Sequence, residues 1–498
     1  MNPSIFFSTT LFILLLTGLT CRASAGCEEY CRLAGEDAGT RHIMNLIERS
    51  LAGHDCESTA RKLSTATELH LPSKEITSIA PLACAINMEV LALDENQISD
   101  LSPLRNLTKM RGLSLAGNRI STIEHLGGMT RLEWLFLQDN RSPDLDITPL
   151  REMKGLMVVD LSRNRVRDLT AMEGKVSMRR LTADEAAIED VSPLSGLVEL
   201  DSLSLGQNNV EHLTPLSGLA SLVRLHAPGN RIQDIAPLAR LHELRELDIS
   251  GNRIRDLEPL GSLSRLATLH VADNQIDNLR AIDGLANLQW LRASNNLISD
   301  LTPLRQSGGQ ITVLEISKNQ IADLAPIEGM RDLEWIDVSN NLLTNAESIG
   351  QVPFLKRINI AGNRIRDISP LAKHATLMVL DISRNTIEDI SPLAGKTLLK
   401  TVIANSNRIR DPSPSATLRA LKHLDLSHNL IEDLSSLLKI ENQGMKVFLA
   451  EGNPITRDEE HCPTDGGSYL MRLFCRDYLG RESGTEPGLM EPSIRRFP

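Results

Sequence analysis

Aromatic side chains are scarce: Phe, Trp and Tyr together make up 3% of the 498 residues. A core layered from stacked rings is excluded, and the 41% hydrophobic content must come mainly from aliphatic side chains. Cysteine is missing from the whole stretch between Cys84 and Cys462, so neither a disulfide nor a thiolate metal site can staple the middle of the chain. Past the first twenty residues there is no apolar run long enough to cross a membrane. Basic excess is lacking too: 64 acids face 53 bases for a net charge of −11, which argues against a nucleic-acid-binding stripe. With 23% charged residues against that apolar content, intrinsic disorder does not fit either.

What is present is a repeat. One unit reads Leu244-Arg-Glu-Leu247-Asp-Ile249-Ser-Gly-Asn252-Arg-Ile254-Arg-Asp256-Leu257-Glu-Pro259-Leu260. Aligned on its asparagine, the chain gives a column at 96, 118, 140, 164, 208, 230, 252, 274, 296, 319, 341, 363, 385, 407, 429 and 453, with Lys74 and Ala186 in the two remaining slots. The step is 22 residues except for inserts before 164, 319 and 453. A repeat array is one elongated body whatever its length, so domain counting by length does not apply.

Each unit has a physical logic. Leu247 and Ile249 alternate with outward positions as in a short strand. Asn252 sits where the chain turns inward, and its amide can bond backbone groups that would otherwise be buried unpaired, which makes Asn96, Asn118, Asn208, Asn230, Asn252, Asn274, Asn296 and Asn363 a structural ladder. Ile254, Leu257 and Leu260 face inward from a return segment that Pro259 makes extended or 3₁₀-like. The expected fold is an α/β solenoid with a parallel sheet lining one face.

The ends read differently. Ile5 to Leu19 is an apolar stretch followed by Ala23-Ser24-Ala25, which suits signal-peptidase cleavage before Gly26 and export, though no Lys or Arg precedes the stretch. Lipoprotein processing at Cys21 or Cys27 is an alternative whose aliphatic residue three places upstream is missing. Loss of residues 1–25 removes Arg22 and Cys21, making the charge one unit more negative and leaving six cysteines at the two ends of the array. Cys462 and Cys475 are expected to pair. Cys27, Cys31, Cys56 and Cys84 allow three pairings, with zinc binding as the rival reading. Residues 26–62 are expected to form a helical cap, with apolar spacing over Thr40 to Leu51 and a second helix capped by Asp55. About eighteen repeats follow over 63–455, then a cap over 456–479 and a loose, proline-bearing tail over 480–498.

The unit resembles the leucine-rich repeat, L-x-x-L-x-L-x-x-N-x-I-x-D-[IL]-x-P-L, in the 22-residue form of the internalins and the Sds22-like phosphatase regulators. The resemblance covers residues 63–455. It implies a curved scaffold, with the sheet on its concave face and 3₁₀ or extended segments on its convex face, that binds another macromolecule, usually a protein, on the concave side. The leader and the cysteine-bearing ends look like exported bacterial members. An immunoglobulin-like domain after the repeats and a wall-sorting signal, both features of internalins, are not found in the sequence.

No catalytic constellation emerges. Gly395-Lys396-Thr397 resembles the end of a phosphate-binding loop, but Ile390 occupies the position that needs glycine. No cofactor and no metal are expected; His226, Asp248 and His270 on adjacent strands would diverge rather than converge on an ion. Asn106-Leu-Thr108 and Asn140-Arg-Ser142 match glycosylation sequons, and Asn140 belongs to the ladder. The outward positions carry the information. All three tryptophans, Trp134, Trp290 and Trp335, fall six residues before an asparagine slot, with Val313 between the last two and Phe136 beside the first. These are expected partner-binding anchors, flanked by Arg292 and Asp337 in a polar, mostly acidic stripe four residues before the slots. The competing reading is that the rings only pack against strand neighbours. The expected function is an exported, non-enzymatic scaffold for a protein partner, with cell-envelope carbohydrate as the alternative ligand and a relative of the phosphatase regulators as a further one.

Overall fold

The computed structural model describes residues 26–307, 310–440, 444–462, 464 and 469–480. The expected leader, the tail from 481 and part of the C-terminal cap lie outside the described residues. Packing divides the chain into two compact units, one ending at Ala187 and one beginning at Ile188. The division falls beside Ala186, one of the two slots without asparagine.

The first unit opens with three helices, α1 (Glu29–Glu36), α2 (Ala38–Ser50) and α3 (Cys56–Thr65). Asp37 starts α2 by accepting a hydrogen bond from the Thr40 N–H at 2.6 Å, and Ile43, Met44 and Ile47 form the buried face. Asp55 and Ser58 start α3 with a reciprocal capping box. α1 lies within the helical cap expected over 26–62 and has no buried residue. Disulfides Cys27–Cys84 and Cys31–Cys56 tie it down, choosing one of the three pairings the sequence leaves open. Non-reducing peptide mapping is expected to find these two links and Cys462–Cys475; either of the other front pairings would contradict this arrangement.

Beyond the cap, six parallel strands run from β1 (Glu68–His70) to β6 (Arg180–Thr182), each three residues long. The second unit holds twelve more, β7 (Ser202–Ser204) to β18 (Val447–Leu449), again parallel and paired residue for residue one repeat apart. The middle residue of each, such as Leu247 or Leu269, is buried, and its neighbours face outward, as the two-residue period requires. The residue before the asparagine turns left-handed, which Gly251 adopts freely and Glu95, Asn295 and Arg384 adopt at a cost.

The return segments are short 3₁₀ helices with a proline in the first turn, as at Glu258–Leu260. An aspartate starts many of them: Asp256 accepts from the Glu258 N–H at 2.9 Å, and Asp146, Asp190, Asp300 and Asp367 do the same two residues on, while Ser78, Thr122, Asn278 and Asn345 take that place in other coils. This is the reason for the conserved-looking Asp of the repeat unit within this chain. The insert before Asn319 widens one return segment into a short α4 (Leu304–Ser307). The second unit ends with α5 (Tyr469–Leu479), pinned by Cys462–Cys475 and by Phe474, which meets Phe448 edge-on at 5.7 Å.

Candidate functional site

The turn after each strand is held by the asparagine amide. Asn252 Oδ1 accepts from the Ile232 N–H at 2.9 Å, while its Nδ2 donates to the carbonyls of Ala227 and Ile249 at 3.0 Å. Asn96, Asn118, Asn230, Asn274, Asn296 and Asn363 repeat this geometry, joining each coil to the one before. Asn208 accepts from the Ile188 N–H in the same way. Asn140 is a member and buried, so its sequon is closed in the folded chain, whereas Asn106 is exposed. At the Ala186 slot the backbone substitutes: the Val166 N–H donates to the Ala186 carbonyl at 2.9 Å, with Glu185 and Ala187 both at positive φ.

With its inward surface consumed in this way, the sheet presents its outward strand residues to a partner. In the second unit Trp290, Val313 and Trp335 lie in direct register on β11 (Trp290–Arg292), β12 (Val313–Glu315) and β13 (Trp335–Asp337). Trp290 is 43% exposed and Trp335 half-buried, but Val313 is only 8% exposed. Val313 is thus not a contact residue of an open apolar strip, as the sequence suggests; it forms the floor between two indoles whose bulk covers it. Each indole carries a guanidinium: Arg292 lies 5.7 Å from the Trp290 ring centre and Arg357 lies 5.2 Å from that of Trp335. Arg292 also meets Glu315 at 3.2 Å.

The acidic stripe is less solvated than its composition implies. Asp337 accepts from the Ser339 N–H at 2.9 Å and from Asn359 Nδ2 at 3.1 Å. Asp381 and Asp425 likewise hold the N–H and hydroxyl of Ser383 and Ser427. These carboxylates close the end of the strand as well as facing outward. Burial raises the carboxyl pKa of Glu315 and of Asp381 above the usual range, against the opposing effect of Arg292 on the first and of Ser383 on the second. His270 sits 3.8 Å from Asp248, while His226 turns to Glu246 at the same distance, so the three candidate ligands do not converge.

In the first unit Trp134 and Phe136 lie 5.6 Å apart on one strand. Trp134 has a made seat: a Cβ on Gly112 of the neighbouring strand would fall 1.8 Å from the indole. For this tryptophan the packing interpretation has direct support, and Gly112 is the residue that sequence reading overlooked. Three other substitutions escaped notice, in the column of buried Leu and Met on the return side. Lys175, His374 and Lys396 stand there. Lys175 Nζ donates to the carbonyls of Leu150 and Met153 at 2.7 and 2.9 Å, and burial pushes its pKa down to about 8.

Parallel three-residue strands, 3₁₀ returns and an asparagine ladder define a leucine-rich-repeat solenoid. A family model for paired leucine-rich repeats matches residues 86–128, 220–262 and 242–287. The internalin InlF of Listeria monocytogenes is 28% identical with a TM-score of 0.56, the match spanning 75% of this chain and 96% of that one. The chain is a leucine-rich repeat protein of the internalin type. A leucine-rich-repeat protein of Leptospira interrogans (18% identity, TM-score 0.57, 80% and 93% coverage) shares the fold. So does the ectodomain of the Arabidopsis receptor kinase HAESA in complex with a peptide hormone (21% identity, TM-score 0.59, 80% and 76% coverage). No curated protein sequence gives a significant match. Among the described residues, no helix is long and apolar enough to cross a membrane.

Proposed function

We propose that this chain is an exported, non-enzymatic scaffold that binds a protein partner on the outward strand face of its second unit, with Trp290 and Trp335 as anchors. Three disulfides at the ends support an oxidising compartment, and the internalin and receptor-ectodomain neighbours support binding of a protein or peptide. The observation that carries the site is Trp290, left 43% exposed and, among the described residues, the one exposed large hydrophobic side chain that lies in a strand. Arg292 and Arg357 pre-position the rings, which reduces the entropy lost on binding. The same guanidiniums occupy one face of each indole, which favours a protein side chain wedged beside the rings over a sugar stacked on them.

The test is a double variant, W290A/W335A, beside a ring removed from elsewhere, Phe354→Ala, whose side chain is 54% exposed away from the strands. With folding checked by circular dichroism, partner captured from native extracts is expected to bind the double variant at least about thirtyfold more weakly, the loss that one hot-spot residue alone produces. Unchanged affinity there, or an equal loss in the Phe354 variant, would remove the site from this face. A ligand retained on a glycan array but absent from the pull-down would favour carbohydrate.

A further inference from the structure

The residue just before each strand forms a column of its own, laced by backbone hydrogen bonds from one coil to the next. In the second unit its last members are Glu334, Lys356, Met378, Lys400, Lys422 and Lys446. Each N–H donates to the carbonyl of the member before it, over 2.7–2.8 Å from Lys356 onward, so the side chains stack in a single row. Neighbours in this column sit about 4.8 Å apart.

Elsewhere the column obeys the ordinary rule for cross-strand pairs, that opposite charges face each other. Arg111 and Glu133 are paired at 2.9 Å in the first unit, and Lys356 and Glu334 at 2.5 Å in the second. The last three places break the rule. Lys400, Lys422 and Lys446 are all exposed on consecutive coils, and among the described residues none has a carboxylate partner. Three like charges in one row disfavour the free protein, and they do so on a chain whose net charge is −11. A regularly spaced anion supplied from outside relieves that repulsion.

We infer that the Lys400–Lys422–Lys446 row binds a linear anionic polysaccharide, one bearing sulfate or carboxylate groups along its length, laid across the coils. One observation selects a polysaccharide over a nucleic acid. The next outward residues on these strands are Thr401, His423 and Val447, then Ile403, Asp425 and Leu449. They offer no Phe, Tyr or Trp for bases to stack upon, and stacking supplies much of the affinity for single strands. The site stands apart from Trp290 and Trp335 and does not depend on the protein-binding role proposed for them.

The experiment uses the full chain, a heparin oligosaccharide as probe, neutral dextran of equal length, a single-stranded oligonucleotide of equal charge and anionic vesicles. The wild type is expected to bind heparin with an affinity that falls as salt rises, at a log–log slope of about 2, and to ignore dextran. Each of K400Q, K422Q and K446Q should weaken binding about threefold and the triple variant roughly thirtyfold, with the slope near zero. Lys154→Gln, an exposed lysine in the first unit, should change nothing. The triple variant should melt no lower than wild type, because it loses only repulsion, and W290A/W335A should retain heparin. Heparin binding that survives in the triple variant, or is absent in the wild type, overturns the assignment. So does equal or tighter binding to the oligonucleotide or the vesicles.

Discussion

Asn252→Ala is expected to lower the free energy of unfolding by about 1–3 kcal/mol, the cost of leaving a buried polar group unpaired. The vulnerable group is the Ile232 N–H, which has Asn252 Oδ1 as its acceptor. The carbonyls on the donor side are better protected, since Ala227 also receives Asn230 Nδ2 and Ile249 also receives Asn274 Nδ2. The ladder is therefore redundant for carbonyls and not for N–H groups. Ala186 shows how a coil tolerates the gap, by turning its own carbonyl inward with Ala187 at positive φ in addition to the residue before the slot. Chemical denaturation of Asn252→Ala with an unchanged midpoint would remove the structural role of the column. Asn252→Asp should cost more than Ala at neutral pH, because it buries a carboxylate against the two carbonyl oxygens that Nδ2 now serves.

Lys175→Met should act in the opposite direction, stabilising the protein by about 1–3 kcal/mol at pH 7. Met153 and Met129 already fill equivalent places in earlier coils, so the side chain fits. Burial holds the Lys175 pKa at about 8 against 10.5 in the open chain, a penalty on the charged form of roughly 3 kcal/mol. Its hydrogen bonds to Leu150 and Met153 return part of that. The pH dependence is distinctive. Between about pH 8 and 10.5 the unfolded chain holds a proton that the folded protein has released, so raising the pH through this window favours folding. Below about pH 8 both states hold it and the penalty is constant. Wild-type stability should rise across the window relative to Lys175→Met, and parallel profiles for the two proteins would show that Lys175 is not desolvated. Lys396, lowered by burial in the second unit, adds a weaker contribution of the same sign.

The candidate face was legible in part. Register alone places Trp290, Val313 and Trp335 side by side, because a 22-residue period fixes which residues share a column. Register says nothing about how much of each side chain is covered, and there the expectation for Val313 gave way: two indoles flanking an isopropyl group leave it little room to reach solvent. The acidic stripe misled for a related reason. A carboxylate four residues before the asparagine looks solvated in sequence, yet the turn brings the N–H of the second residue onward within reach of Asp337, Asp381 and Asp425. The lysine row follows from the same register, one residue before each strand, while the lack of carboxylate partners among the described residues is visible only in the folded chain.

The repeat itself determined the strands, the ladder and the inward side chains, since each unit is a local structure that copies its neighbour and needs no distant contact to be specified. Tertiary structure decided what local periodicity cannot encode. The pairing of Cys27 with Cys84 and of Cys31 with Cys56 depends on how three helices fold over the first coil. The seat of Trp134 depends on Gly112, a repeat away, and the depressed pKa of Lys175 depends on its burial between stacked coils. In each case the deciding quantity is the space or charge left between chain segments far apart in sequence, and that exists only once the coils are stacked.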